Sequence, residues 1–139
     1  EEDGVVRGAA TQINAPWGLD RVDQRKLPLS TTYSYDGIAA NVHAYILDSG
    51  INTGHFDFEG RIGKGISTVT GLPQTIEDCH GHGTHVAGTL GGSYWGVAKG
   101  VTLHPVRVLN CQNLGLDSDL IAGLDWVAAR HVKPAVANL

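Results

Sequence analysis

The chain has 139 residues, of which 42% are hydrophobic and 17% charged, and its formal net charge is -4. These values fit one globular domain and exclude a disordered chain. The negative charge argues against nucleic acid or an anionic membrane as the main partner. The longest apolar runs fall far short of the ~20 residues that cross a bilayer, and the acidic N-terminus is not typical of a signal peptide.

Three short apolar runs predict buried strands, whereas the N-terminal residues show no pattern of regular structure. Residues 1–16 show no hydrophobic period and are predicted to be an irregular arm. The first apolar run covers residues 42–47 and ends immediately before Asp48. The second covers residues 101–109, and a third begins at residue 135.

Two helices are predicted between these strands. The shorter covers residues 82–90, and the longer is capped by Asp117 or Ser118 and runs to about His131. The apolar side chains of the longer helix recur with the helical period and predict its packed face: Leu120, Ile121, Leu124, Val127 and Ala128. Strands that alternate with helices predict an α/β fold with a parallel sheet, in which sites form at the carboxyl ends of strands.

Asp48 and His82 are candidate members of a charge system for nucleophilic catalysis. A hydroxyl nucleophile needs a base to remove its proton, and that base needs a carboxylate to orient it and stabilise its charged form. His82 suits the base because a helix N-terminus disfavours the imidazolium. Asp48 suits the orienting carboxylate, and the separation of 34 residues leaves room for a crossover between them. For either residue alone, a turn-forming aspartate or a packed histidine is the simpler interpretation.

A metal site is the weaker chemical alternative. His80, His82 and His85 have the ligand spacing of metallo-β-lactamase-type hydrolases, which use metal-bound water as the nucleophile. That motif normally has Asp before its last His, and Thr84 stands there instead. We therefore predict that His85 is a buried structural residue, one helical turn from His82.

The remaining polar residues leave several interpretations open. Cys79 and Cys111 could form a disulfide, remain as two buried free thiols or, less favourably, bind zinc. Asp20, Asp23 and Gln24 offer oxygen ligands of the kind that Ca²⁺ prefers, although an exposed helix surface is the simpler interpretation. Four carboxylates elsewhere are predicted to be solvated loop residues: Asp57, Glu59, Glu77 and Asp78.

Two segments of the chain strongly resemble the catalytic motifs of the subtilisin-like serine proteases. They are Asp48-Ser49-Gly50 and His82-Gly83-Thr84-His85-Val86-Ala87-Gly88-Thr89, and they occur in the family's order. The resemblance extends from about Ala15 to Leu139 and is strongest with the proteinase K branch, in particular the aqualysin group of secreted bacterial enzymes. The segments that carry it are residues 15–25, 95–99, 106–109 and 122–127.

This resemblance implies a fold and a role for several residues. The fold would be the parallel-sheet subtilisin-like α/β fold, with residues 10–139 forming the N-terminal portion of its doubly wound sheet. Asp48 and His82 match the family's catalytic Asp and His, and Cys79 and Cys111 match a disulfide pair of the aqualysin group. Residues 109–116 match the edge strand that pairs with an extended peptide substrate, which implies substrate contacts from Leu114, Gly115 and Leu116. Leu116 departs from the family's small residues.

The resemblance also implies a structural calcium ion and a processed N-terminus. Asp20, Asp23 and Gln24 match a calcium site of the aqualysin group, with Ser30 as a further ligand, and no organic cofactor is expected. Residues 1–9 precede the family's usual mature start and match the tail of a propeptide.

The expected function follows from what the motifs contain. No serine of the chain stands in the setting of a nucleophile, so we expect the N-terminal part of a secreted serine endopeptidase that acts on peptides or proteins. Activity would then require a complementary C-terminal polypeptide that carries the catalytic Ser. The alternative is a catalytically dead pseudoprotease that binds peptides or a protein partner and covers its open sheet by self-association. Neither hypothesis involves nucleic acid or a membrane.

Overall fold

The computed structural model describes residues 10–139, and the chain divides after Ile38 into two compact units. The predicted propeptide tail, residues 1–9, lies outside the described residues. No helix in the described part is long and apolar enough to cross a membrane.

The first unit is a two-stranded sheet with one short helix. Strand β1 (Ala10–Ile13) pairs in antiparallel fashion with β2 (Thr32–Tyr35), and helix α1 (Trp17–Asp23) lies between them in the chain. Its small core consists of Ala15, Leu19 and Tyr33. The prediction of an irregular arm was therefore wrong for residues 10–13. The partner strand of these residues lies about twenty positions away, and a local hydrophobic period cannot indicate such a pairing.

The second unit contains the parallel sheet that the sequence predicts. Its strands are β3 (His43–Asp48), β4 (Ile66–Ser67), β5 (Thr102–Arg107) and β6 (Ala135–Asn138), in the spatial order β4-β5-β3-β6. All three pairings are parallel, which confirms the predicted α/β class. The two-residue β4 was not predicted, because so short a strand carries no readable period.

The helices of the second unit cover both faces of this sheet. Helix α2 (His82–Gly91) packs through Ala87 on the face that carries Ala44 and Ile46. Helix α3 (Asp117–Arg130) packs on the face that carries Tyr45, Leu47, Val106 and Val108. Neighbouring side chains of β3 point to opposite faces, so one strand contributes to both cores. A short 3₁₀ helix, Phe56–Phe58, adds Phe58 to the core beneath α2.

The packed face of α3 differs from the predicted stripe. Ile121 is 57% exposed and Leu124 and Ala128 are also exposed, whereas Gly123 is buried. A Cβ atom at Gly123 would lie 2.7 Å from Val108 Cγ1, so the helix packs tightly against the sheet there. The face centred on Gly123 includes Leu120, Trp126 and Val127, which pack against the sheet, and it excludes the three exposed residues.

His104 on β5 is the centre of a buried polar network. Its Nδ1 lies 2.8 Å from the carbonyl oxygen of Lys64, so Nδ1 must carry the proton and donate it. In neutral His104 the other nitrogen, Nε2, accepts a hydrogen bond from His43 Nδ1 at 2.8 Å. The ring of Tyr45 stacks on His104 with ring centroids 4.3 Å apart. A second proton on His104, at Nε2, would reverse this bond and require His43 to accept through Nδ1 in its other tautomer.

The burial of His104 predicts a stability change in mildly acidic solution. Burial lowers the pKa of His104 below its usual 6.5, and the charge of His43 lowers this pKa further. The hydrogen bond to Lys64 raises the pKa but does not outweigh these two effects. Below pH 6.5 the unfolded chain therefore binds a proton at this residue that the folded chain excludes. The free energy of unfolding should decrease as the pH falls below that value.

Denaturant unfolding over a pH series measures this effect, with His104→Gln as the test variant. The substitution should reduce the pH dependence below 6.5 relative to the wild type and leave the slope unchanged at higher pH. An unchanged slope below 6.5 in the variant would show that His104 does not cause the effect.

Candidate active site

Asp48 is fixed at the carboxyl end of β3, where the parallel sheet was predicted to place a site. Its main-chain oxygen accepts hydrogen bonds from the N–H groups of Val108 and Leu109, just beyond the end of β5. The residue is 5% exposed, and its Oδ1 accepts a 2.7 Å hydrogen bond from the N–H of Ser49. The side chain is therefore held as an oriented carboxylate with one of its oxygens already in use.

His82 is the first residue of α2, and its ring faces the carboxylate of Asp48. The Nδ1 atom lies 2.8 Å from each carboxylate oxygen. Because an ionised carboxylate only accepts, Nδ1 carries the hydrogen, and the neutral ring keeps its lone pair on Nε2. The side chain of His82 is 51% exposed, so an incoming hydroxyl group can reach this basic nitrogen. The geometry is that of a general base held by an aspartate.

Gly83 allows the close approach of α2 to the end of β3. A Cβ atom at this position would lie 2.2 Å from the main-chain oxygen of Gly50 and 3.1 Å from Asp48 Cβ. Gly50 itself has φ +105°, a conformation that favours glycine, and packs against the main chain of Ile76. Gly50 and Gly83, one in each motif, thus allow the two segments to approach closely enough for Asp48 to contact His82.

Asp78 is a second carboxylate of this site, and the sequence analysis missed it. It was predicted to be a solvated loop residue, but it accepts hydrogen bonds from main-chain N–H groups around the start of α2. Burial alone raises the pKa of Asp78, but hydrogen bonds from Gly81, Thr84 and His80 outweigh it and lower the pKa to about 2. An acidic residue shortly before a predicted helix start was the available signal.

Asp57, which was also predicted to be a solvated loop residue, lies in the short 3₁₀ helix Phe56–Phe58. It is 3% exposed rather than solvated, and its Oδ1 accepts a hydrogen bond from the N–H of Tyr94. Glu59 and Glu77 are exposed, as predicted.

Cys79 and Cys111 form a disulfide, with the sulfur atoms 2.02 Å apart. This confirms the pairing that the family resemblance implies and excludes the two free thiols. Both residues are exposed, and Arg107 donates to Cys79 Sγ at 3.1 Å. The bond joins the segment just before His82 to the segment that follows β5.

The predicted substrate segment belongs to no strand of the sheet. Asn110 holds it in a turn, because its N–H donates to Leu114 O while its Oδ1 accepts from Leu114 N–H. Leu114 and Leu116 are exposed, and Gly115 packs against the main-chain oxygen of Val108. Contact between Leu114, Gly115 and Leu116 and a substrate stays a prediction.

The residues predicted to bind calcium lie around one loop of the first unit. The carboxylate of Asp20 accepts hydrogen bonds from Ser30 and from the N–H of Thr31. Asp23 accepts from the N–H of Ser34, and Gln24 donates through Nε2 to two main-chain oxygens, which leaves its Oε1 to act as a ligand. Carboxylate, amide and hydroxyl oxygens are the donors that Ca²⁺ prefers, so the residues fit that ion in kind.

The three histidines of the alternative hypothesis do not form a metal centre. Among residues 10–139, no three His, Cys, Asp or Glu side chains come together to hold a metal ion. His85 is exposed, which corrects the prediction that it is buried. It lines an open apolar cavity of about 530 Å³ together with Val86, Leu90 and Val136. His82 is bonded through Nδ1 to Asp48, and its ring centroid lies 6.4 Å from that of His80.

A sequence model described as the subtilase family, peptidase S8, matches residues 40–139 of this chain. An extracellular serine proteinase of Thermus sp. (strain Rt41A) is 58% identical over the whole chain, which covers 34% of that relative. Alkaline serine exoprotease A of Vibrio alginolyticus is 51% identical over 99% of the chain, which covers 26% of that relative. The chain thus spans about a third of the length of the first relative and about a quarter of the length of the second.

Known structures agree with the sequence comparisons. The crystal structure of a cold adapted subtilisin-like serine proteinase matches with a TM-score of 0.86 and 48% sequence identity. The match covers 91% of this chain and 46% of that one.

A further sequence relative, proteinase T of Parengyodontium album, is 48% identical over 91% of the chain, which covers 43% of that relative.

The packing at Gly83 predicts that two glycines of the same helix respond in opposite ways to alanine. Gly83→Ala places a methyl group against Gly50, so the free energy of unfolding should fall by about 1–3 kcal/mol. Gly88→Ala is the matched control, since its added Cβ meets only Phe58 at an ordinary 3.9 Å. This control should gain up to about 1 kcal/mol from its higher helix propensity. Chemical denaturation measures both, and equal effects would contradict the close approach at Gly83.

Proposed function

This chain belongs to the subtilase family, and we propose that it supplies the aspartate and the histidine of a secreted serine endopeptidase. The observation that carries the proposal is the ring of His82, which is half exposed and held at 2.8 Å by the buried Asp48. The relatives named as extracellular or as exoproteases, together with the disulfide, support a secreted enzyme.

The proposed mechanism begins with proton transfer to His82. Nε2 takes the proton of a serine hydroxyl as that oxygen attacks the carbonyl carbon of a peptide bond, and Asp48 stabilises the imidazolium that forms. His82 then gives the proton to the leaving amine, and water hydrolyses the acyl-enzyme by the same steps in reverse.

The nucleophile of this mechanism comes from sequence outside these 139 residues. Ser49 is the serine beside the aspartate, but its hydroxyl donates to Asp78 at 2.9 Å and accepts from the N–H of Gly83. The hydroxyl of Ser49 is therefore already engaged by two partners, and neither is His82. We infer that a complementary C-terminal segment carries the catalytic Ser, and that residues 114–116 lie beside the bound peptide.

Substitution of the two residues tests the mechanism in the complete protein in which this sequence occurs. Asp48→Asn should lower kcat by about four orders of magnitude, since the amide no longer holds the required tautomer, and His82→Ala should lower it at least as much. His85→Ala, an exposed histidine one turn along α2, is the control and should keep kcat within about two-fold. Hydrolysis of a chromogenic peptide measures these rates, and equal losses in all three variants would contradict the assigned roles.

Covalent labelling tests the origin of the nucleophile. A peptidyl organophosphonate should label a serine of the complementary segment and none of the serines among these 139 residues. Mass spectrometry of the digested product locates the label. A labelled serine within this chain would overturn the proposal of an external nucleophile.

We propose further that Asp23, Gln24, Asp20 and Ser30 hold a structural calcium ion. Ca²⁺ should then raise the thermal midpoint of the wild type, and a chelator should reverse this, because the ion binds the folded state only. Asp23→Asn keeps an acceptor for Ser34 but removes the charge, so the variant should lose the response. Asp36→Asn, an exposed aspartate of the same unit, is the matched control and should keep it. A calcium response that survives in Asp23→Asn would exclude this site.

A further inference from the structure

The carboxylate of Asp78 receives hydrogen bonds from both segments that carry the candidate catalytic residues. Its Oδ1 accepts from the hydroxyl of Ser49 at 2.9 Å and from the N–H groups of His80 and Gly81 at 2.9 and 2.8 Å. Its Oδ2 accepts from the N–H of Thr84 at 2.9 Å and from the Thr84 hydroxyl at 2.5 Å. All five donors lie within two residues of Asp48 or His82.

These bonds belong to a closed ring of hydrogen bonds around the site. Ser49 directly follows Asp48, and its hydroxyl also accepts from the N–H of Gly83 at 3.0 Å. Gly83 in turn directly follows His82, so the carboxylate and the Ser49 hydroxyl tie the turn after β3 to the first turn of α2. In the described part of the chain, the side chain of Asp78 contacts neither His82 nor Asp48 through a hydrogen bond.

We propose that Asp78 is a positioning residue that sets the distance between the His82 ring and the Asp48 carboxylate by holding the turn after β3 and the start of α2 together. This inference rests on the proposed function, in which Asp48 orients His82. Misplacement of a catalytic group by about 1 Å can cost a factor of about 100 in rate, so a residue that fixes this distance affects catalysis without touching the substrate.

Only an ionised carboxylate satisfies all five donors. An asparagine side chain has one oxygen, and its NH₂ group would face either the N–H of Thr84 or the N–H groups of His80 and Gly81. The hydrogen bonds on one side of the hydrogen-bond ring would then be lost in either orientation of the amide. The hydrogen bonds that keep the pKa of Asp78 at about 2 also keep it ionised at neutral pH, in agreement with this requirement.

The neighbouring Glu77 provides a matched control for the charge and the location of Asp78. It is exposed, and its carboxylate accepts from the N–H and hydroxyl of Thr53 rather than from α2. Glu77→Gln therefore removes a negative charge from the same loop and leaves the ring of hydrogen bonds intact.

The test compares Asp78→Asn with Glu77→Gln in the complete protein, at a temperature where both are folded. In Asp78→Asn, kcat should fall about ten-fold or more while KM changes by less than about three-fold. The proton resonance of His82 Nδ1–H, which reports its bond to Asp48, should shift or broaden. Glu77→Gln should change neither kcat nor this resonance. Asp78→Asn with wild-type kcat and resonance but a lower thermal midpoint would show a purely structural role and overturn the inference.

Two further measurements keep the outcome decisive. If Asp78→Asn does not fold, Ser49→Ala removes the hydroxyl that bonds the turn after β3 to both Asp78 and Gly83, and it should lower kcat and shift the Nδ1–H resonance in the same direction. If the wild type has no peptidase activity, the proposed function fails. The Nδ1–H resonance of His82 in the variants still decides whether Asp78 positions the imidazole of His82. An unchanged resonance in both Asp78→Asn and Ser49→Ala would overturn the inference.

Discussion

The close approach of the α2 N-terminus to the carboxyl end of β3 is the constraint on which the rest of the site depends. Asp48 and His82 belong to different elements, and their side chains meet because the main chain of Gly83 lies directly against Gly50. The sheet fixes one side of this contact, since Val108 and Leu109 hold the main-chain oxygen of Asp48. The 2.8 Å between the ring and the carboxylate is thus a property of how the two backbones pack.

Carboxylates that accept hydrogen bonds from main-chain N–H groups hold several irregular segments of this chain in place. Asp57 accepts a hydrogen bond from the N–H of Tyr94, and Asp78 accepts one from the N–H of Thr84 in the first turn of α2. Asp119 accepts hydrogen bonds from the N–H and the hydroxyl of Thr70. A loop has few regular partners for its amide groups, and a hydrogen bond to an ionised oxygen is stronger than one to a neutral oxygen. Each of these aspartates therefore fixes a loop against a helix or strand, and at Asp78 the loop belongs to the candidate active site.

The sequence predicted the central elements well, and its errors concern contacts between distant segments. Strand β3 was expected at residues 42–47 and lies at His43–Asp48. Helix α3 was expected after a cap at Asp117 or Ser118 and begins at Asp117, with Leu116 as its N-cap. These elements carry a local hydrophobic period. By contrast, β1 depends on a partner strand about twenty positions away, and the packed face of α3 depends on Gly123, which has no side chain to contribute to a period.

By itself, the sequence determined the residue types and the order of the catalytic motifs, the α/β class and, through the family resemblance, the pairing of Cys79 with Cys111. Only the tertiary structure decided that Gly83 allows the two segments of the site to approach closely, that Asp78 is bound to both of them, and that His85 is exposed. The physical reason is that a motif specifies chemistry along the chain. Distances across the chain arise only when the sheet and its helices pack.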